Sequence, residues 1–186
     1  MNLSKKQTQY GGGQDFYLPI LAVFIGSFFL PSVSSAQSCA VGIPESNPAA
    51  VYSASGGVVT DNKTGLIWDQ CAWGVSGATC GGGSAGSFSW RDTLSVVSTA
   101  NATVYKGASD WRLPNLKELR SLAEECRASP SINTTVFPST PSVSFWTNSP
   151  TQSFVDHAWT VSFFGGDVFA ELRTTLARVR LVRGGR

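Results

Sequence analysis

The chain has 186 residues, of which 42% are hydrophobic and 14% charged, and its formal net charge is +2. The apolar share is that of a globular chain, while the near-neutral balance names no partner and gives no support to nucleic-acid binding. One His and four Cys, with no Cys-x-x-Cys pair, leave a zinc site and other resident metals or cofactors without support.

Residues 1–36 read as an export signal. Lys5 and Lys6 provide a positive start, Leu18 to Leu30 is an apolar run broken by Pro19 and Gly26, and Ser34-Ser35-Ala36 offers small residues for cleavage after Ala36. A run of that length falls short of the roughly 20 residues that span a bilayer, so no permanent membrane span is expected after cleavage. The remaining 150 residues, 37–186, suffice for one domain, expected in the periplasm, on the cell surface or secreted. In that part 12 basic residues face 11 acidic ones, but Arg173, Arg178, Arg180, Arg183 and Arg186 follow the last acid, Glu171. The C-terminal end is locally cationic.

All four cysteines lie in the mature part, and an even count in an exported chain predicts two disulfides with three possible connectivities. Cys71 and Cys80 bracket a Gly-rich loop, which favours their pairing and leaves Cys39 with Cys126.

Residues 37–57, with Pro44 and Pro48, read as an extended connector, and 58–186 as the domain. Val58-Val59-Thr60 predicts a strand, Asp61-Asn62-Lys63 a turn, and Thr64 to Cys71 a second strand with Leu66 and Trp68 on one side. Ala72 to Ser87 is a Gly- and Ser-rich surface loop. Ser89 with Asp92 three residues on starts a helix near 90–101, with Leu94, Val97 and Ala100 as its apolar stripe. Asp110-Trp111-Arg112-Leu113-Pro114 follows. Pro114 disfavours helical geometry at Leu113, Asn115 is a good N-cap and Glu118 completes a capping box, so a second helix begins at Leu116. Its face of Leu116, Leu119, Leu122 and Ala123 extends it to about residue 126. Large aromatics mostly bury and Arg often ties turns, so Trp111 reads as core and Arg112 as a structural donor.

From Ser144 the pattern changes to strand. Phe145-Trp146-Thr147 is one, and Ala158 to Phe164 is another, with Trp159, Val161 and Phe163 on one face and Ala158, Thr160 and Ser162 on the other. Gly165-Gly166-Asp167 predicts a hairpin turn and Val168 to Leu172 the antiparallel return. In the last strand, Ala177 to Val182, Val179 and Leu181 face one way and Arg178 and Arg180 the other, about 7 Å apart at a rise of about 3.4 Å per residue.

The motifs Thr64-Gly65-Leu66-Ile67-Trp68, Phe88-Ser89-Trp90, Asp110 to Pro114 with Lys117-Glu118-Leu119, Phe145-Trp146-Thr147, Ala158 to Val161 with Gly165-Gly166, and Val179 to Arg183 come in an order that resembles the Legionella collagen-like protein C-terminal domain family. The Arg-Leu-Pro step before a helix with a Glu is also remotely similar to the formylglycine-generating domain, which has a C-type-lectin-like fold. The resemblance implies a bacterial exported α+β domain, C-type-lectin-like, with two helices on a small, mostly antiparallel sheet, long loops and two disulfides. Among its relatives is an adhesin region that binds sulfated glycosaminoglycans as a trimer. This chain has no Gly-X-Y repeat, so that trimerisation and cell attachment are not implied, and a homo-oligomer stays open.

No residue pattern assembles a catalytic set. His157 follows Asp156, and adjacent strand residues point to opposite faces, so the pair is not expected to work together. Trp146-Thr147-Asn148 only faintly echoes a lectin calcium motif and lacks its Asp. The expectation is a non-enzymatic recognition module that binds an anionic polysaccharide through Arg173, Arg178, Arg180 and Arg183, since Arg suits bidentate pairing with sulfate or carboxylate. A structural or assembly subunit that binds a surface protein is the alternative, motivated by six Trp and eleven Phe.

Overall fold

The computed structural model of the protein describes residues 38–184, so the expected leader over 1–36 lies outside the described residues. The strands are β1 (Tyr52–Ser55), β2 (Val58–Asp61), β3 (Ile67–Asp69), β4 (Val75–Ser76), β5 (Gly82–Gly83), β6 (Ser144–Pro150), β7 (His157–Ser162), β8 (Val168–Leu172) and β9 (Val182–Arg183). Two α-helices, α1 (Asp92–Ala102) and α2 (Leu116–Arg120), are described with them. The class is α+β. One antiparallel sheet has the order β1-β2-β3-β9, a second has the order β6-β7-β8, and β4 pairs with β5 inside the Gly/Ser loop.

The hairpin expected after Val58 forms, and Val59 pairs with Trp68, both without solvent exposure. Its turn is braced by Asp61, whose carboxylate accepts the Lys63 amide and the Thr64 hydroxyl at 2.9 and 2.7 Å. Tyr52–Ser55, read from sequence as connector, adds a strand that pairs with β2. Tyr52 packs edge-on against Phe137, while Ser53, Ala54 and Ser55 are exposed and give no alternating pattern to read.

In α1 the buried side is Thr93, Val96 and Ala100, whereas Leu94 is exposed, which rotates the stripe from the expected one. The helix is set by the Ser89–Asp92 pair, at 2.6 Å between side chains, and by Asn101, which clamps the Trp111 backbone. The capping box of α2 is complete: Asn115 accepts the Glu118 amide at 2.9 Å and Glu118 accepts the Asn115 amide at 2.7 Å. The helix itself ends at Arg120, not near residue 126. Leu122 and Ala123 are buried as the stripe predicts, but Ala123 bridges Ile132 and the Glu124 amide donates to Ser131, which turns the chain out of the helix.

The β7–β8 hairpin forms at Gly165-Gly166. Gly166 has φ +84°, and an added Cβ would press within 3.3 Å of Ala123, so glycine is needed there for both reasons. Leu119, Leu122, Ile132, Phe137, Phe145, Val161 and Phe163 join Trp68 and Val182 in the main core. Val96, Ala100, Trp111, Val179 and Leu181 form a second cluster. The disulfides join Cys39 to Cys126 and Cys71 to Cys80.

The expected strand over 177–182 is replaced by an extended segment whose partner changes almost at every residue. Ala177 bonds with Phe88, Arg178 with Ser144 and Trp146, Val179 with Trp73, Leu181 with Asp69, and Val182 with Arg112. This segment lies between the two larger sheets and is covered on both faces from Val179 to Val182, while Arg178 is half-buried. Val179 and Leu181 fill one cluster, while Arg180 and Val182 on the other side have no exposure.

Candidate functional site

The Trp111-Arg112 block is scaffold. Trp111 is buried, its indole donates to the Tyr105 carbonyl at 2.7 Å, and both its backbone polar groups engage the Asn101 amide. Arg112 makes a bidentate pair with Glu118, both bonds 2.8 Å, and donates to the Gly184 carbonyl at 3.0 Å. Burial pushes the Glu118 carboxyl up, but the Arg112 guanidinium and the Asn115 amide outweigh it and hold the group below its usual range.

The four arginines expected to share a ligand separate. Arg180 is fully buried and donates to the carbonyls of Asp69 and Gln70 at 2.8 and 2.5 Å and to the Thr140 hydroxyl at 2.7 Å. Burial lowers its pKa to about 10, so it remains a cation at neutral pH. It cannot reach a polymer, because the segment that carries it is central rather than an edge strand. Arg183 lies on β9 in the first sheet, paired with Asp110 at 3.3 Å and set 5.7 Å from the Trp111 ring. Of the other two, only Arg178 lines a groove. The Arg173 guanidinium sits 4.5 Å over the Trp90 ring and its Nε donates to the His157 carbonyl. Arg178 donates to the Ala85 carbonyl and lines an open groove with Glu171, Ser87, Ser144 and Thr175.

A second groove lies at the end of the β6–β7 hairpin. In β8, Ala170 stands opposite Trp159 and Glu171 opposite Ala158, so alternate residues turn to the two faces of the sheet. Ala170 and Trp159 line the second groove with Pro150, Thr151, Gln152, Ser153 and Phe154, around a volume of about 400 Å³. Phe154 is more than half exposed and Trp159 half-buried. The loop is braced by the Thr151 hydroxyl and the His157 amide, both donating to the Phe154 carbonyl at 2.5 and 3.1 Å. Trp159 was legible in the sequence only as a strand position. No sequence pattern marks Thr151 to Phe154 as a groove wall, because the turn is set by hydrogen bonds to the Phe154 carbonyl.

His157 and Asp156 do pair, Nδ1 to Oδ1 at 2.7 Å, because Asp156 belongs to the turn before β7, where strand alternation does not apply. Asp156 is exposed, and this hydrogen bond lowers its pKa. In the calcium-like triplet Trp146 and Thr147 are buried, and the Thr147 hydroxyl donates to the Trp159 carbonyl at 2.7 Å. Among the described residues one cluster has metal-ligand types close together, Cys39, Glu124 and Cys126 within 4.8 Å. Its sulfurs are joined to each other, and a disulfide sulfur is not the thiolate that metals take.

Fold and site define a small α+β domain, stapled by two disulfides, with open grooves on both faces of a sheet edge. The family model of the Lcl C-terminal domain matches residues 57–183, and the chain belongs to that family. No curated protein matches it. The disulfides and the family are consistent with an exported protein, and no helix among the described residues is long and apolar enough to cross a membrane.

Proposed function

We propose that this domain is an exported, non-catalytic recognition module, adhesin-like in binding an anionic glycan or a related surface polymer. The supporting observation is the groove where Arg178 meets the hydroxyl-bearing Ser87, Ser144 and Thr175; Arg173, which falls in sequence between the groove residues Glu171 and Thr175, stacks on Trp90 outside the lining. A guanidinium beside hydroxyls suits carboxylate or sulfate, while Glu171 in the same groove limits how much negative charge it accepts. Arg180 has no part in this reading. The C-type-lectin-like architecture belongs to the same proposal and is tested by superposing an experimental structure on lectin-like domains.

Retention on heparin resin tests the function. The wild type is expected to elute at a salt concentration that drops in the Arg173→Ala/Arg178→Ala variant, as screened charge contacts require. An unchanged elution point overturns the site. A protein-binding assembly role is favoured by one observation, the exposed Val168, Phe169 and Leu172 on β8. Co-purification of a stoichiometric envelope protein, without retention on heparin, would establish that role instead.

A further inference from the structure

We propose that the groove between the Pro150–Phe154 loop and the Trp159–Ala170 pair binds an uncharged hexopyranose unit of a polysaccharide. No lining residue is ionisable, and the His157 ring that packs 5.1 Å from that of Phe154 is itself paired with Asp156, so an anionic polymer finds no unpaired counter-charge in the lining. The side chains that line it are of two kinds. Phe154 and Trp159 offer apolar ring faces, and Thr151, Gln152 and Ser153 offer hydroxyl and amide groups at the rim. A pyranose has the matching surface, a C–H face bounded by hydroxyls. Its size is also right, since about 400 Å³ falls in the range of small-ligand sites, roughly 300–1,000 Å³.

Two further observations separate this groove from bare hydrophobic exposure. The indoles of Trp90, Trp111 and Trp146 each donate to a backbone carbonyl, whereas those of Trp68, Trp73 and Trp159 have no protein acceptor among the described residues; Trp68 is buried in the core, while Trp159 lines this groove and can donate to a ligand there. The Gln152 amide and Ser153 hydroxyl likewise carry no protein partner among the described residues, although they sit on a loop already fixed by the two hydrogen bonds to the Phe154 carbonyl. A turn backbone fixed before binding lowers the entropy cost of taking a ligand, while the exposed Gln152 and Ser153 side chains are ordered on binding. The groove turns to the opposite sheet face from Glu171 and uses none of the arginines, so it stands or falls apart from the anionic site.

The test is calorimetric titration of the full mature protein with uncharged hexasaccharides of glucose, mannose, galactose and N-acetylglucosamine, each at low salt and at about 0.5 M NaCl, where the Debye length is only a few Å. At least one is expected to bind with an affinity that salt leaves unchanged, that falls about tenfold or more in Phe154→Ala, and that is retained in Arg178→Ala, which leaves the Arg173 bond to the His157 carbonyl intact. Phe154 is exposed enough for its removal to leave the fold intact, and Ala170→Trp provides a second variant that fills the groove without deleting a contact. If no uncharged hexasaccharide binds, if Phe154→Ala and Ala170→Trp both keep wild-type affinity, or if a polyproline peptide binds the groove in place of any sugar, the proposal is wrong. Loss of heparin retention alone concerns only the arginine site.

Discussion

Replacement of Glu124 is expected to release the N-terminal connector from the domain. The carboxylate is fully buried and accepts three hydrogen bonds from residues nearly 80 positions earlier: the Ser46 amide at 2.8 Å, the Ser46 hydroxyl at 2.7 Å and the Asn47 amide at 2.8 Å. Hydrogen bonds to a charged group are worth about 1.5–3 kcal/mol each, but these three are not additive. The Cys39–Cys126 link and the Arg127–Glu45 pair keep the connector close, so after Glu124→Ala its freed donors turn to water instead of staying buried. That lowers the expected cost to about 3 kcal/mol. With m near 2 kcal/mol/M in urea, the unfolding midpoint should fall by about 1–2 M. Glu124→Gln keeps one acceptor oxygen but turns an NH₂ toward a donor, for a cost of about 2 kcal/mol. The sign of the pH effect follows from the same contacts. Burial raises the Glu124 pKa, yet the Ser46 hydroxyl and the Ser46 and Asn47 amides lower it further, so the folded value lies below the unfolded one. The stabilisation is therefore complete above the ordinary Glu pKa of about 4.3 and is lost as pH falls through that value toward the folded one. Urea unfolding followed by tryptophan fluorescence under oxidising conditions, from about pH 7 to 3, reads both effects. A midpoint shift below about 0.5 M, with unchanged hydrogen exchange at Ser46 and Asn47, would refute the reasoning.

Arg112→Lys should lose the bidentate grip on Glu118 and the bond to Gly184, costing about 1 kcal/mol after discounting for a guanidinium one-third exposed. Thermal unfolding checks it, and an unchanged midpoint argues that the pair is dispensable. Arg180→Met leaves the carbonyls of Asp69 and Gln70 and the Thr140 hydroxyl without their donor in the core, an expected loss of about 2–4 kcal/mol by urea unfolding. The folded fraction of that variant should still elute from heparin with the wild type, and earlier elution would contradict the internal role assigned to Arg180.

What could be read in the chain and what could not differ by the distance of the partners. Asn115 and Glu118 signal the start of α2 because both bonds of the capping box are made within three residues, and the structure has both. The end of α2 was misjudged because it depends on Ile132, Ser131 and the distant Ser46 and Asn47, none of which lies in the helical pattern. The Gly165-Gly166 turn is equally local. Of the Phe154–Trp159 groove only the strand position of Trp159 is legible, since the braced turn that brings Phe154 beside it depends on hydrogen bonds to a backbone carbonyl.

The family, the turn and cap positions, the α+β class and the alternation of Arg178 and Arg180 with Val179 and Leu181 are all written in the order of residues along the chain. Only the tertiary structure decided which alternating residues meet water. A strand's own pattern tells that its two sides differ, but solvent reaches a side only if no other element covers it. The segment carrying Arg178 and Arg180 is covered on both sides from Val179 to Val182 but open at Arg178, so Arg180 became an internal donor to the chain's own carbonyls while Arg178 kept access to one of the two grooves beside β8.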